Sequence, residues 1–248
     1  MRYKTVIEYD GSGFHGWQRQ QPGCRTVQAE FERAAEHMTG APVTVVASGR
    51  TDEGVHALGQ VVHFDCGKEY PPDVMMRALN HWLPEDVRVL SCEIVADTFD
   101  ARRSAKRKTY EYVMYTAGVV SPLRRTRELY IGRSADAELM DSAARLLVGT
   151  HDFSAFMSSG SSAKTFTRTI YSAEVRTAGD RIVFRITGSG FLYNMVRIIV
   201  GALVRIGMGE KTKEEIALAL GTGDRRLMPD IAPPQARFLV GRGYVDVG

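Results

Sequence analysis

One order of segments occurs twice along this chain of 248 residues, and it constrains the fold more than any other feature. In the first half, apolar residues alternate at Arg2–Asp10 and Val87–Val95, and recur at helical spacing after Thr26 and from about Asp73. Alternation is typical of half-buried strands, and recurrence every three or four residues is typical of helices. The first half therefore predicts the order β-α-β-β-α-β. Its two middle strands are predicted at Val43–Ala47 and Leu58–Phe64.

The second half repeats this order. Thr109–Thr116 alternates, a helical pattern follows Ser134, an apolar helix is predicted at Leu192–Ile206, and Thr212 and Glu215 form a capping box that starts a further helix. The remaining predicted strands are Thr169–Arg176, Asp180–Thr187 and Ala236–Val247. The fold class is therefore predicted as α+β, with two ferredoxin-like βαββαβ halves whose antiparallel sheets adjoin around a central basic cleft.

Apolar spacing also predicts which helix faces are buried. On the second helix, Val74, Ala78 and Trp82 share one stripe and are expected to face the core. On the third helix, for which we predict the cap at Ser134, the residues expected to face inward are Leu139, Met140, Ala143, Leu146 and Leu147.

Composition excludes several classes of protein. Apolar residues make up 44% of the chain and charged residues 25%, as in globular domains, and no stretch approaches the roughly 20 apolar residues of a membrane helix. The N-terminus has no signal-peptide core. Cys24, Cys66 and Cys92 lack CxxC spacing, which disfavours a disulfide framework or a zinc ribbon. We therefore expect a cytoplasmic protein that uses no metal or cofactor.

Positive charge is concentrated in one segment. Eight basic residues and one acid lie between Arg102 and Arg127, a net charge of +7, whereas the rest of the chain carries −4. Such a stripe is typical of a polyanion-binding surface, and a solvated face is the ordinary alternative. This basic linker opens the second predicted domain, 102–248, and the first, 1–101, carries the loop described next. The candidate phosphate-binding residues are Arg102, Lys106, Arg107 and Lys108.

A polar loop between two predicted strands, residues 47–57, is the first candidate site. Arg50 and Asp52 point the same way in an extended chain, and a nearby guanidinium favours the ionised carboxylate that a nucleophile or general base needs. Ser48, Asp52 and His56 also allow a hydrolase hypothesis, but a triad draws its members from separate elements. A structural role for Asp52, holding the turn through backbone N–H groups, is equally open.

Two further residues stand out in the second half. Arg197 lies in a helix of apolar residues, where a guanidinium either extends to solvent or pairs with an acid such as Asp52. Tyr110 begins a strand just after the basic residues and either faces a nucleobase or is an ordinary strand aromatic.

Seven motifs occur along most of the chain in the order known for one family. They are YDGSGFHGWQRQ at 9–20, GRTDEGVHA at 49–57, FDAR at 99–102, TY at 109–110, HDFSAF at 151–156, RTI at 168–170 and FLYNMVR at 191–197. In this set the chain resembles the TruA family of tRNA pseudouridine synthases.

The resemblance implies an isomerase that converts uridines at positions 38–40 of the tRNA anticodon stem-loop to pseudouridine, as a homodimer and without a cofactor. It also implies a pseudouridine-synthase-type fold. Asp52 matches the family's catalytic aspartate, and Arg197 matches the arginine that pairs with it. The other matched positions are Tyr110, which contacts the uracil, Arg50, and Gln18 and Arg19 of an RNA-contacting loop.

The chain departs from the family pattern at three places. Glu53 replaces a small residue beside Asp52, and Arg103 replaces an aromatic residue in the basic linker. Near the C-terminus, Ala236 and Arg237 stand where glycine and leucine are expected, which changes the apolar wall near the uracil. The route stays open, because Asp52 can either attack C1′ or remove the C2′ proton. A non-catalytic tRNA-binding protein is the alternative function.

Overall fold

The first strand shows how the sequence pattern becomes structure. In the computed structural model, which describes residues 1–132, 134–160 and 163–244 and the side chains up to residue 241, β1 spans Arg2–Tyr9. Its alternate residues Tyr3, Thr5, Ile7 and Tyr9 are all buried, as predicted. The chain divides into two compact units, one formed by Met1–Lys106 with the segment from Phe238 onward, the other by Arg107–Arg237.

The first unit has the predicted β-α-β-β-α-β order. In its sheet β1 lies between β3 and β4 and is antiparallel to both, and β2 adds to β3 as a short antiparallel strand. Thr26 caps α1, with its hydroxyl accepting a hydrogen bond from the Ala29 N–H at 3.4 Å, and Gly40 ends the helix at a φ of 72°. The elements are α1 (Val27–Thr39), β2 (Val45–Ala47), β3 (His56–Asp65), α2 (Pro72–Trp82) and β4 (Val87–Val95).

The predicted buried face of α2 is wrong. Val74 and Trp82 are 37% and 46% exposed, whereas Met75 and Leu79 are completely buried. This short helix carries two overlapping apolar stripes, and the one that reaches the core is the Met75–Leu79 stripe. The Trp82 ring instead stacks on His37 of α1, with ring centroids 4.5 Å apart.

The second unit has an antiparallel sheet of order β5-β9-β8-β7, with β6 parallel to β5. Tyr110, Tyr112 and Met114 of β5 are buried, as their alternation predicts. The two-residue strand β6 and the strand β7 were not predicted. The elements are β5 (Ala105–Tyr115), β6 (Leu129–Tyr130), α3 (Ala137–Arg145), β7 (Gly149–Asp152), β8 (Thr167–Ala178), β9 (Arg181–Gly188), α4 (Met195–Gly207) and α5 (Lys213–Thr222).

One predicted cap in this unit is wrong and one is confirmed. Asp136, not Ser134, caps α3, because its carboxylate accepts hydrogen bonds from the N–H groups of Glu138 and Leu139 at 2.9 and 3.0 Å. Of the five residues predicted to face inward, Met140, Ala143 and Leu147 are completely buried, whereas Leu139 and Leu146 are 47% and 37% exposed. At the start of α5, the capping box of Thr212 and Glu215 is present.

The last strand, β10, joins the first unit. It spans Arg237–Tyr244 and pairs in parallel with β3, with Phe238 opposite His56 and Leu239 opposite Ala57. The sequence predicted a strand at Ala236–Val247 and assigned it to the second half, with the domain boundary between residues 101 and 102; residues 245–247 lie outside the described residues. The α+β class is confirmed. No helix in the described ranges is long and apolar enough to cross a bilayer.

Candidate active site

The polar loop of the first unit begins with a firmly held residue. The backbone N–H of Ser48 donates to the Val61 carbonyl and its hydroxyl donates to Gln60 Oε1, each at 2.8 Å. The Gln60 amide in turn donates to the carbonyl of Gly49. Because Ser48 and Gln60 are both fully buried, this end of the loop is fixed to β3.

The segment after β1 forms a second support for the loop. The Tyr9 hydroxyl lies 2.9 Å from Thr51 Oγ1, and the Trp17 N–H donates to the Thr51 carbonyl at 3.0 Å. Gly16, at a φ of 85°, passes so close that a Cβ there would lie 2.7 Å from the same carbonyl oxygen. The motif at 9–20 thus packs directly against the motif at 49–57, and Thr51 is one of the buried residues that join them.

A tight turn presents Asp52. The Val55 N–H donates to the Asp52 carbonyl at 3.2 Å, and Gly54 adopts a φ of 74°. A Cβ on Gly11 would lie 2.1 Å from the Val55 carbonyl oxygen, so the backbones of Gly11 and Val55 are in direct contact. With Thr51 directed inward, Arg50 is exposed and Asp52 is half-buried. The turn therefore holds an accessible carboxylate on a rigid base.

The hydrolase hypothesis finds little support in these contacts. His56 is 2% exposed, its Nδ1 accepts a hydrogen bond from the Gly11 N–H at 3.1 Å, and its ring stacks on Phe238 with centroids 4.8 Å apart. Asp10 Oδ1 lies 3.2 Å from the same nitrogen. Ser48 and His56 thus each serve the packing of the loop. Within the described ranges, no three His, Cys, Asp or Glu side chains cluster to hold a metal ion.

The motif at 99–102 builds the turn that carries the first basic residues. Asp100 Oδ1 accepts hydrogen bonds from the N–H groups of Arg102 and Arg103, both at 2.8 Å, and the Ala101 N–H donates to His63 Nδ1 at 3.0 Å. Burial acts to raise the pKa of Asp100, but these two N–H groups outweigh it and the pKa is lowered. Burial, aided by nearby Arg2, lowers the pKa of His63, which suits its acceptor role. Both arginine side chains are exposed.

Two buried polar residues of α1 hold the predicted RNA-contacting loop. Glu32 forms an ion pair of 2.6 Å with the guanidinium of Arg19, and Gln28 Oε1 accepts hydrogen bonds from Gln18 Nε2 at 2.8 Å and the Arg19 N–H at 3.0 Å. Glu32 and Gln28 were missed by sequence reasoning. The available signal was two polar residues one turn apart on the otherwise apolar face of an amphipathic helix.

In the second unit Arg197 is half-buried at the start of α4. Its Nε donates to the Ala232 carbonyl at 2.6 Å and its Nη1 donates to Asn194 Oδ1 at 2.9 Å. Asn194 has a positive φ of 59°, at which asparagine is among the most tolerant residues, and it precedes the helix. The pairing of Arg197 with Asp52 stays a prediction.

Tyr110 lies in an aromatic and cationic environment. It is 4% exposed, and the ring of Phe191 meets it edge-on at a centroid distance of 5.2 Å. The guanidinium carbon of Arg237 lies 4.4 Å from the centroid of the Tyr110 ring. On the same strand, burial raises the pKa of Tyr112, opposed by the charges of Arg197 and Arg237.

Comparison with known proteins identifies the family. The sequence profile of the tRNA pseudouridine synthases matches residues 5–102 and 143–244. A tRNA pseudouridine synthase A from Acetivibrio thermocellus is 44% identical over 237 residues, covering 96% of this chain and 97% of the relative. The Geobacillus kaustophilus protein of the same name is 45% identical over 239 residues, covering 96% and 92%. The chain of a solved Cbf5-Nop10-Gar1 complex aligns over 83% of this chain and 54% of its own length, with 13% identity and a TM-score of 0.31, too weak to bear on fold or function.

The chain therefore belongs to the tRNA pseudouridine synthase family and is an isomerase that forms pseudouridine in tRNA. Asp52 and Arg197 fall inside the matched ranges, whereas Tyr110 and most of the basic linker lie between them.

Proposed function

We propose that this enzyme isomerises uridines at positions 38–40 of the tRNA anticodon stem-loop, with Asp52 as the catalytic carboxylate and without a cofactor. The observation that carries the proposal is the Asp52 turn. An accessible acid is held by backbone contacts from Gly16, Trp17 and Gly11 at the centre of the most characteristic motif. Rigid support of this kind is what a reacting group needs, because misplacement lowers the rate steeply.

Two routes give the same product from Asp52. In one, a carboxylate oxygen bonds to C1′ as the N1–C1′ bond breaks. In the other, the carboxylate takes the C2′ proton and a glycal forms. In both, uracil departs with the electron pair of the N1–C1′ bond and is an anion. The base then turns and C5 bonds to C1′. In the first route the carboxylate leaves C1′ with the electron pair of the C1′–O bond, and in the second the carboxylic acid returns its proton to C2′. The C5 proton is then lost and N1 gains a proton, so product and substrate are isomers.

The other proposed residues bind or orient the substrate. Tyr110 contacts the flipped uracil, and base–aromatic contacts contribute about 1–3 kcal/mol against an unstacking cost of a few kcal/mol. Arg197 keeps the catalytic carboxylate charged and oriented, and Arg50 holds a phosphate or fills the space that the base leaves. Gln18 and Arg19 contact the RNA substrate, and the basic linker binds backbone phosphates through Arg102, Lys106, Arg107 and Lys108. We further propose a homodimer that acts in the cytoplasm.

Transcribed tRNA tests the proposal directly. The protein, dialysed against EDTA, is incubated with transcripts that carry a single uridine at position 38, 39 or 40, and pseudouridine is located by carbodiimide labelling and primer extension. We expect extension stops at these positions, and none with cytidine at all three. Binding without any conversion would favour the non-catalytic alternative, and stops only at other positions would refute the anticodon assignment.

Arg197→Met is expected to lower both activity and stability. Methionine keeps the apolar stem but leaves the Ala232 carbonyl without its partner, a loss of about 1–3 kcal/mol in the free energy of unfolding. Activity is expected to fall about tenfold or more, because a buried or partly buried charge pair orients its carboxylate strongly. Urea midpoints and pseudouridine formation measure the two effects. Arg205→Met on the same helix, which removes solvent-accessible pairs with Glu210 and Asp230, is the control. A stable and fully active Arg197→Met variant would refute the role.

A further inference from the structure

Arg237 occupies a position that the proposed mechanism does not use. Its side chain is 6% exposed although its charge is permanent, and its guanidinium carbon lies 4.4 Å from the centroid of the Tyr110 ring. A buried guanidinium over an aromatic ring gains more from the contact than an exposed one, since water no longer screens the attraction. This contact is therefore a strong determinant of where the Tyr110 ring lies.

The backbone beside Arg237 is itself held in place. A 3-10 turn over Pro234–Ala236 leads into the residue, and the Pro233 carbonyl accepts a hydrogen bond from the Tyr112 hydroxyl at 2.7 Å. Tyr112 lies on β5 two residues after Tyr110. The same strand therefore carries the ring that contacts the guanidinium and the hydroxyl that holds the backbone just before Arg237. The ring of Tyr110 is thus restrained by two contacts, one with the guanidinium of Arg237 and one with the edge-on ring of Phe191.

We propose that Arg237 is a positioning residue for the reaction, acting through Tyr110. The inference rests on the proposed function, in which Tyr110 contacts the flipped uracil. A ring already restrained in the free enzyme does not have to be ordered when the base arrives, which lowers the cost of reaching the reactive arrangement. In addition, the fixed positive charge behind the ring favours a base that departs as an anion in either route. Both effects act after the tRNA is bound.

The test compares Arg237→Met, Arg237→Lys and a control on the same unit, Arg176→Met, whose exposed side chain pairs with Glu174. Single-turnover and steady-state assays on an anticodon stem-loop transcript should show kcat about tenfold lower for the methionine variant, with KM within twofold, and a smaller loss, about threefold, for lysine, which keeps the cation. The control should match the wild type. An unchanged kcat for Arg237→Met, or no rescue by lysine, would overturn the proposal.

A second measurement separates this proposal from the proposed function. The urea midpoint is measured with and without Arg237→Met in three backgrounds: the wild type, Tyr110→Phe and Tyr110→Leu. Because phenylalanine keeps the aromatic face and leucine does not, we expect Arg237→Met to lower the midpoint beside Tyr110 or phenylalanine and to have much less effect beside leucine. If the wild type forms no pseudouridine, the proposed function fails while this coupling still stands. If the coupling is absent, Arg237 does not act through Tyr110.

Discussion

Replacing Asp52 with asparagine is expected to abolish pseudouridine formation, at least about a 10²-fold loss of turnover, while tRNA affinity stays within a factor of about three. Asparagine has nearly the same shape as aspartate, so the backbone contacts of the turn through Thr51, Gly54 and Val55 are kept. It carries no negative charge, however, and neither attacks C1′ nor accepts the C2′ proton. The loss should therefore be confined to the chemical step. Carbodiimide labelling of treated tRNA measures turnover, and filter binding measures affinity.

Glu53→Gln is the matched control for this experiment. Glu53 is the exposed neighbour of Asp52 on the same turn, and the substitution likewise replaces one carboxylate with an amide. We expect turnover within about twofold of the wild type, because surface changes of this kind have little effect. Near-normal activity of Asp52→Asn would refute Asp52 as the catalytic group. A large loss of turnover in Glu53→Gln would mean that the proposal names the wrong acid.

Gly11→Ala is expected to disable the enzyme without touching any substrate-binding side chain. A Cβ at this position would lie 2.1 Å from the Val55 carbonyl oxygen and 2.5 Å from its carbon, so the backbone of the Asp52 turn has to move. Forcing an atom into a packed interior costs about 1–3 kcal/mol of stability. Displacement of the turn should also lower turnover by about 10²-fold, as expected when a reacting group shifts by about 1 Å.

The measurements are the urea midpoint and pseudouridine formation at a temperature where the variant is still folded. Gly67→Ala serves as the control, since no atom lies within 4 Å of its added Cβ and its φ is not in the left-handed region. We expect that control to stay within about 0.5 kcal/mol of the wild type. A stable, active Gly11→Ala variant would show that the close approach of the two segments does not hold the Asp52 turn in place.

Local sequence signals predicted the secondary structure where a single residue determines it. Thr26 and the capping box at Thr212 satisfy backbone N–H groups within three residues of themselves, so their effect is visible in sequence. The way in which helices and strands pack against one another was harder to predict. The face of α2 depends on which of two apolar stripes meets its neighbours, and Asp136 and Ser134 compete as caps two residues apart. The parallel pairing of β10 with β3 depends on residues far away along the chain.

Those parts of the candidate site that lie within one short segment of sequence could be predicted. The motif around Asp52 identified the turn, and the basic run identified exposed charges. The contacts between these residues and their supporting partners could not be predicted, because the partners are brought close only when the chain folds. Gln60 beneath Ser48, Glu32 beside Arg19 and Phe238 against His56 each come from another element. The roles of Asp52, Tyr110 and Arg197 in the reaction stay predictions.

The parallel pairing of β10 with β3 also has a consequence for folding during synthesis on the ribosome. His56, near the end of the 47–57 loop, meets its stacking partner Phe238 only after the chain has been made as far as residue 238. At 5–20 residues per second, that leaves the loop without its final support for roughly 10–40 s after His56 is synthesised. A nascent chain that has not reached residue 238 therefore lacks this contact with the 47–57 loop, and its first sheet lacks the strand that pairs in parallel with β3.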